Sequence, residues 1–165
     1  MSLFDKKICF SLTLVIISLI VTNHSHAEAA IDTTAPVSRE YCKWKVENYA
    51  IEKPLCGYVG NAERGKEISS DGSKGNCLAC HRLPIEGIEA YGTIGPPLEA
   101  VATRLATGMI RLRVVDTRHI NPMSIMPGFY RDPKLINRPG KPYIGRTFLT
   151  AQQVEDVIAY LVTLK

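Results

Sequence analysis

The chain is poor in the features that mark most specialised classes. It has one tryptophan, four histidines and five cysteines in 165 residues. The net charge is only +4, and the cationic residues form no run. That excludes the basic stripe of a nucleic-acid-binding protein and leaves mild attraction to acidic partners. No internal repeat or low-complexity tract is present, so a solenoid or fibrous chain is excluded. No segment alternates apolar and polar residues strongly enough for a half-buried strand, which argues against a sheet-based fold. Long apolar runs are also lacking. The one candidate, Ile8 to Val21, is interrupted only by Ser11, Thr13 and Ser18. It is shorter than the ~20 residues needed to span a bilayer.

That run follows Lys6 and Lys7 and leads to Ser25-His26-Ala27, the small-residue pattern read by a signal peptidase. It is the signature of a cleaved secretory signal peptide, residues 1–27, with cleavage after Ala27 and a periplasmic destination. The competing reading is an uncleaved anchor, which the short run disfavours. Cys9 lacks a lipobox-like pattern, and no second apolar run follows. No membrane span is expected in the mature chain.

What the mature chain does contain is Cys77-Leu78-Ala79-Cys80-His81. This is C-x-x-C-H, the attachment signature of a c-type haem. Two thiols at this spacing can each add across a vinyl group of one porphyrin. The histidine that follows is then placed to bind the iron as proximal ligand. Two other chemistries use C-x-x-C. A zinc site wants four ligands, but only His119 lies downstream. A dithiol redox site wants a βαβ setting, and none is visible. One covalently attached haem c is the expectation, and it brings electron transfer with it.

Two more cysteines, Cys42 and Cys56, remain after the signal is removed. An even pair in an oxidising compartment predicts a disulfide, which would close a loop worth about 3 kcal/mol. A thiol bridge to a partner subunit is the alternative. The pair sits in an N-terminal extension, residues 28–60, whose first part to about residue 40 reads as a loose leader. The cytochrome-type domain is placed at residues 61–165.

Local signals divide that domain. Asn61 is a candidate N-cap for a short helix ending near Ser69. Gly87, Gly92, Gly95, Pro96 and Pro97 mark an extended loop. Leu98–Thr107 and Ile110–Asp116 are helical candidates separated at Gly108. Residues 121–146, rich in proline and glycine, read as loop. The last helix is the clearest. Thr150 and Gln153 form a capping box, and Val154, Val157, Ile158, Leu161 and Val162 make one apolar stripe.

The predicted fold class is all-α, with long loops around a haem. A helix before C-x-x-C-H and an amphipathic helix at the end resemble the class I cytochrome c fold. The resemblance implies that these helices cross, with Gly65 and Tyr160 at the crossing. It also implies that the Gly95-Pro96 loop offers the Pro96 carbonyl to the second ring nitrogen of His81. Four residues are candidates for the sixth iron ligand: Met109, Met123, Met126 and His119. Met126 precedes Pro127-Gly128 in a loop and is favoured, giving His81 and Met126 as the metal ligands. Met109 fits core packing better, and His119 an ordinary surface position.

A more specific resemblance rests on several segments. They are Gly92-Thr93-Ile94-Gly95-Pro96-Pro97-Leu98, Arg113-Val114-Val115-Asp116, Asn121-Pro122, Met126-Pro127-Gly128-Phe129-Tyr130-Arg131 and Leu149 to Leu161. In this order they resemble SoxX, the monohaem subunit family of the sulfur-oxidising cytochrome complex SoxAX. The resemblance runs from about Asn61 to the C-terminus. It implies a heterodimer with a SoxA-like c-type cytochrome. It also implies that the pair acts as an L-cysteine S-thiosulfotransferase, joining thiosulfate to a cysteine of the SoxYZ carrier and releasing two electrons. The sulfur chemistry would lie on the partner, and a small acceptor cytochrome would take the electrons. In this chain Cys77, Cys80, His81 and Met126 would be cofactor residues, and none would be catalytic.

Two other readings stay open: a free-standing class I electron carrier, and a sensor cytochrome with an exchangeable sixth ligand. The absence of a lysine-rich rim weakens the first of these. Arg104, Arg111 and Arg113 are expected to face solvent or a partner rather than haem propionates. Phe129 and Tyr130 would pack on the ring or meet a partner, and Trp44 would anchor a partner or cover the disulfide.

Overall fold

The computed structural model describes residues 41–165. The expected signal peptide, its cleavage after Ala27 and the leader to residue 40 lie outside the described residues. Among the described residues the architecture is helical, with no strand and a single isolated bridge between Glu47 and Ala50. Four helices carry it: α1 (Ala62–Ser70), α2 (Val101–Arg104), α3 (Thr107–Asp116) and α4 (Ala151–Leu161). No described helix is long and apolar enough to cross a membrane.

Helix α1 starts where Asn61 accepts a hydrogen bond from the Arg64 N–H at 2.9 Å. Helix α4 starts with the reciprocal box, Thr150 N–H to Gln153 Oε1 at 2.9 Å and Gln153 N–H to Thr150 Oγ1 at 3.2 Å. Each cap satisfies backbone donors that the helix cannot. The two helices cross in close contact. A side chain at Gly65 would overlap the Asp156 carbonyl and the Tyr160 Cβ, and one at Gly60 would overlap the Glu155 carbonyl. Only glycine lets the backbones approach this far. The crossing is also pinned by charge. Arg64 grips Asp156 through Nε and Nη2, both at 2.9 Å, and the Asn61 N–H donates to Asp156 at 2.8 Å.

The apolar stripe of α4 packs on Ile68, Leu112, Val115 and Leu149 in one core. The stripe understates what α4 buries, because Glu155 and Asp156 are 3% and 2% exposed.

The middle helices differ from the sequence reading. Gly108 does not interrupt α3 but lies inside it. Its missing side chain admits the 41–60 segment: the Ile51 N–H donates to the Gly108 carbonyl at 3.0 Å, and a Cβ there would meet the Ala50 Cβ at 3.1 Å. The break comes earlier, at Leu105 and Ala106, which are extended. Residues 121–146 are loop as expected, apart from short 3₁₀ turns at Pro133–Leu135 and Lys141–Tyr143.

The 41–60 segment is stapled by the Cys42–Cys56 disulfide, with Cα atoms 5.6 Å apart. Ile51 and Leu55 are 2% and 1% exposed and belong to the main core. Trp44 meets His119 edge-on at 5.1 Å, so it closes onto the turn after α3.

A further expectation is overturned. Arg111 faces neither solvent nor a partner. It is 5% exposed and paired with Glu155 at 2.9 Å, and its Nη1 donates to the Ile51 carbonyl at 2.8 Å. A buried guanidinium must satisfy its donors internally, and the 41–60 segment supplies the carbonyls. Arg104 stays exposed but folds back on the Glu99 and Pro97 carbonyls. Arg113 donates to the Met109 carbonyl.

Candidate functional site

The segment between α1 and C-x-x-C-H is a tight turn. Asp71 accepts from the Ser73 N–H and hydroxyl and pairs with Lys74 at 2.9 Å. These partners hold its carboxyl down to a pKa of about 2. Asn76 then takes a left-handed conformation, φ 49°, which asparagine tolerates better than most residues, and turns the chain into a 3₁₀ turn at Cys77–Ala79. The turn places the His81 N–H on the Cys77 carbonyl at 2.8 Å.

A second loop is laced onto this turn. The Gly92 N–H donates to Leu78 O at 2.7 Å, Gly95 N–H to Cys80 O at 2.8 Å, and Leu98 N–H to Arg82 O at 2.9 Å. Gly92 and Gly95 are required here. A Cβ on Gly92 would overlap the Ala79 carbonyl, and one on Gly95 would overlap the His81 imidazole. The lacing brings the Pro96 carbonyl to 2.7 Å from His81 Nδ1. A carbonyl can only accept, so Nδ1 carries the proton and Nε2 keeps its lone pair for a metal. The hydrogen bond inferred from Gly95-Pro96 is therefore present.

Cys77 and Cys80 are free thiols, whereas Cys42 and Cys56 are bonded to each other. Burial pushes the Cys77 thiol up, partly offset by a hydrogen bond with Ser69. A thiol held protonated is a poor redox nucleophile, which argues against the dithiol reading. Among the described residues no three His, Cys, Asp or Glu side chains gather as a metal cluster. Among these described residues, the further ligands that zinc needs are therefore not beside Cys77 and Cys80.

The residues fit a covalent haem on three counts: two unpaired thiols, an adjacent imidazole with Nε2 left for iron, and a buried orphan. The orphan is the Tyr160 hydroxyl, which has no hydrogen-bond partner although Tyr160 is 6% exposed. Burial first, and the Cys77 thiol next, push its phenol pKa up.

Met126 is half-buried and packs against the main core, while Met123 is 85% exposed. Met109 is half-buried on α3, and His119 is exposed and engaged by Trp44. Sequence reasoning missed the Arg111–Glu155 pair and the lacing of residues 92–98 onto 78–82. The glycines at 92 and 95 were the available signal for the second.

A family model for cytochrome c matches residues 62–165. Among solved structures, the crystal structure of SoxXA from P. pantotrophus is similar, with 35% sequence identity and a TM-score of 0.67. The match covers 74% of this chain and 94% of that one. No curated protein matches the chain. The laced haem-attachment turn and the crossed terminal helices agree with these likenesses: the chain belongs to the cytochrome c family, as a SoxX-like cytochrome subunit.

Proposed function

We propose that this chain is the electron-accepting subunit of a SoxAX-like complex that conjugates thiosulfate to a carrier-protein cysteine in the periplasm. Cys77 and Cys80 would hold one haem through thioether bonds, and His81 Nε2 and the Met126 thioether would be the ligands to its iron. When bound, the haem supplies a one-electron iron couple. The observation that carries the reading is the 2.7 Å contact from His81 Nδ1 to the Pro96 carbonyl, which presents Nε2 as a fixed ligand.

The rest of the chain supports an electron-transfer role. Glu155 and Asp156, the buried carboxylates of α4, are both committed to arginines, so neither is poised as a general acid or base. With His81 and Met126 both bound to it, the iron would offer no position to substrate. The sulfur chemistry then belongs to a partner cytochrome, and the electrons pass on to a small acceptor. The residues beside Gly95 and Met126, Ile94 and Ile125, are 67% and 78% exposed. An apolar rather than charged surround suits a lasting partner better than a transient one.

The test is isolation of the haem-loaded protein from its native periplasm, with mass spectrometry of what co-elutes in fixed ratio. A second c-type cytochrome, with haem reduction on adding thiosulfate and the carrier protein, is the expected result. A lone monomer that ignores thiosulfate would replace this reading with that of a free-standing carrier.

A further inference from the structure

The loop bearing Met126 is fastened asymmetrically. Upstream, Met123 and Ile125 are exposed, and the holds are local: Met123 N–H to Asn121 Oδ1 at 3.1 Å and Met126 N–H to Ser124 Oγ at 3.2 Å. Downstream the chain enters the core. The Phe129 N–H donates to Val114 O and the Tyr130 N–H to Val115 O, both at 3.1 Å, and the Leu149 N–H donates to Phe129 O at 2.9 Å. Tyr130 is 1% exposed. Its hydroxyl accepts from the Cys42 N–H at 2.8 Å, and its ring stacks on Tyr41 at 5.2 Å.

Cys42 is itself fixed. The disulfide joins it to Cys56, and the adjacent Leu55 N–H donates to the buried Glu155 carboxylate at 2.9 Å. A continuous set of contacts therefore runs from Glu155 on α4, through the disulfide, to the root of the Met126 loop.

We infer that Tyr130 is a positioning residue for Met126, and that the Cys42–Cys56 strap acts through it to keep the thioether in place. The inference rests on the reading of Met126 as iron ligand. A thioether is a weak, neutral ligand, so its occupancy depends on how little the loop can move. Removing the Tyr130 hydroxyl leaves the half-buried Cys42 N–H without this acceptor, a loss that weakens the closed loop on the order of tenfold.

The test uses the full-length, haem-loaded protein as wild type, Tyr130→Phe, C42S/C56S and Met126→Leu. Three quantities are read: the red charge-transfer band of methionine-ligated ferric haem, the pH at which that band is lost, and the rate of carbon monoxide binding to ferrous haem. Tyr130→Phe and C42S/C56S are expected to keep the covalent haem and the band at neutral pH. Each should lose the band about one pH unit earlier and bind carbon monoxide about tenfold faster. If either variant fails to fold, Tyr41→Leu loosens the same tether from the half-buried side and is read in the same way.

Unchanged band, pH midpoint and binding rate in the tether variants, with the band abolished in Met126→Leu, would overturn the positioning role alone. A wild type without the band, or a Met126→Leu variant that keeps it, would overturn the ligand assignment and the positioning role with it.

Discussion

Arg111 and Glu155 form a buried ion pair that joins α3 to α4, with Nε 2.9 Å and Nη2 3.0 Å from the carboxylate oxygens. Both side chains are nearly sealed from water, at 6% and 3% exposure. The same two residues hold the 41–60 segment. Arg111 donates to the Ile51 carbonyl, and Glu155 accepts from the Leu55 N–H. One pair thus closes three pieces of chain. Replacing Arg111 with alanine leaves Glu155 charged and buried, and about 3–5 kcal/mol of stability should be lost. Denaturant unfolding of the haem-loaded variant measures this. The R111M/E155L double variant should recover only part of it, because the Ile51 carbonyl and Leu55 N–H stay unpaired.

Gly65 is the second structural pressure point. Alanine there drives a methyl group into the Asp156 carbonyl, and the Arg64–Asp156 pair resists separation of the helices. Gly65→Ala should cost about 1–3 kcal/mol through overpacking, despite alanine's better helix propensity. A fall in the thermal midpoint is the readout, and a rise would show that the crossing can relax.

At the proposed haem site, Gly95→Ala should displace the His81 ring, because the new methyl overlaps the imidazole. Disturbing an outer partner of a metal-binding histidine weakens ligation by about 10–100-fold. The absorption spectrum would show a high-spin ferric fraction that the wild type lacks.

Asp71 gives a pH prediction with a definite sign. Ser73 and Lys74 hold its carboxyl at about 2 in the folded protein, against 3.8 as its ordinary value. The folded-state value is the lower one, so its stabilising contribution is complete above 3.8 and is lost as pH falls through about 2. Asp71→Asn should therefore flatten the acid limb of the stability curve across that window. Parallel thermal melts of the two proteins at descending pH check it.

The Cys42–Cys56 bridge closes a segment with a sequence separation of 14. Replacing both cysteines with serine should cost about 3 kcal/mol, mostly through a freer unfolded chain. A reductant should lower the wild-type midpoint equally and leave the serine variant unmoved.

Some of this molecule was legible locally. The capping box at Thr150 and Gln153, the Asn61 cap and the apolar stripe of α4 are near-neighbour patterns, so the sequence displays them whole. The middle helices were harder. Gly108 looked like a break because glycine is a weak helix residue, but its role is to admit Ala50 and Ile51 from far along the chain. Arg111 looked like a surface cation because arginine usually is one. Its partner Glu155 is 44 residues away, and no local spacing connects them.

By itself the sequence determined the cofactor chemistry, since C-x-x-C-H depends on atoms within a single turn, and it determined where helices begin and end wherever a cap is local. Only the tertiary structure decided how residues 92–98 lace onto the haem-attachment turn, which charges are buried, and that the disulfide segment reaches the root of the Met126 loop. Those contacts join residues remote in the chain. The buried Arg111 guanidinium shows the reason: folding brings its donors to the Glu155 carboxylate and the Ile51 carbonyl, which satisfy them out of water.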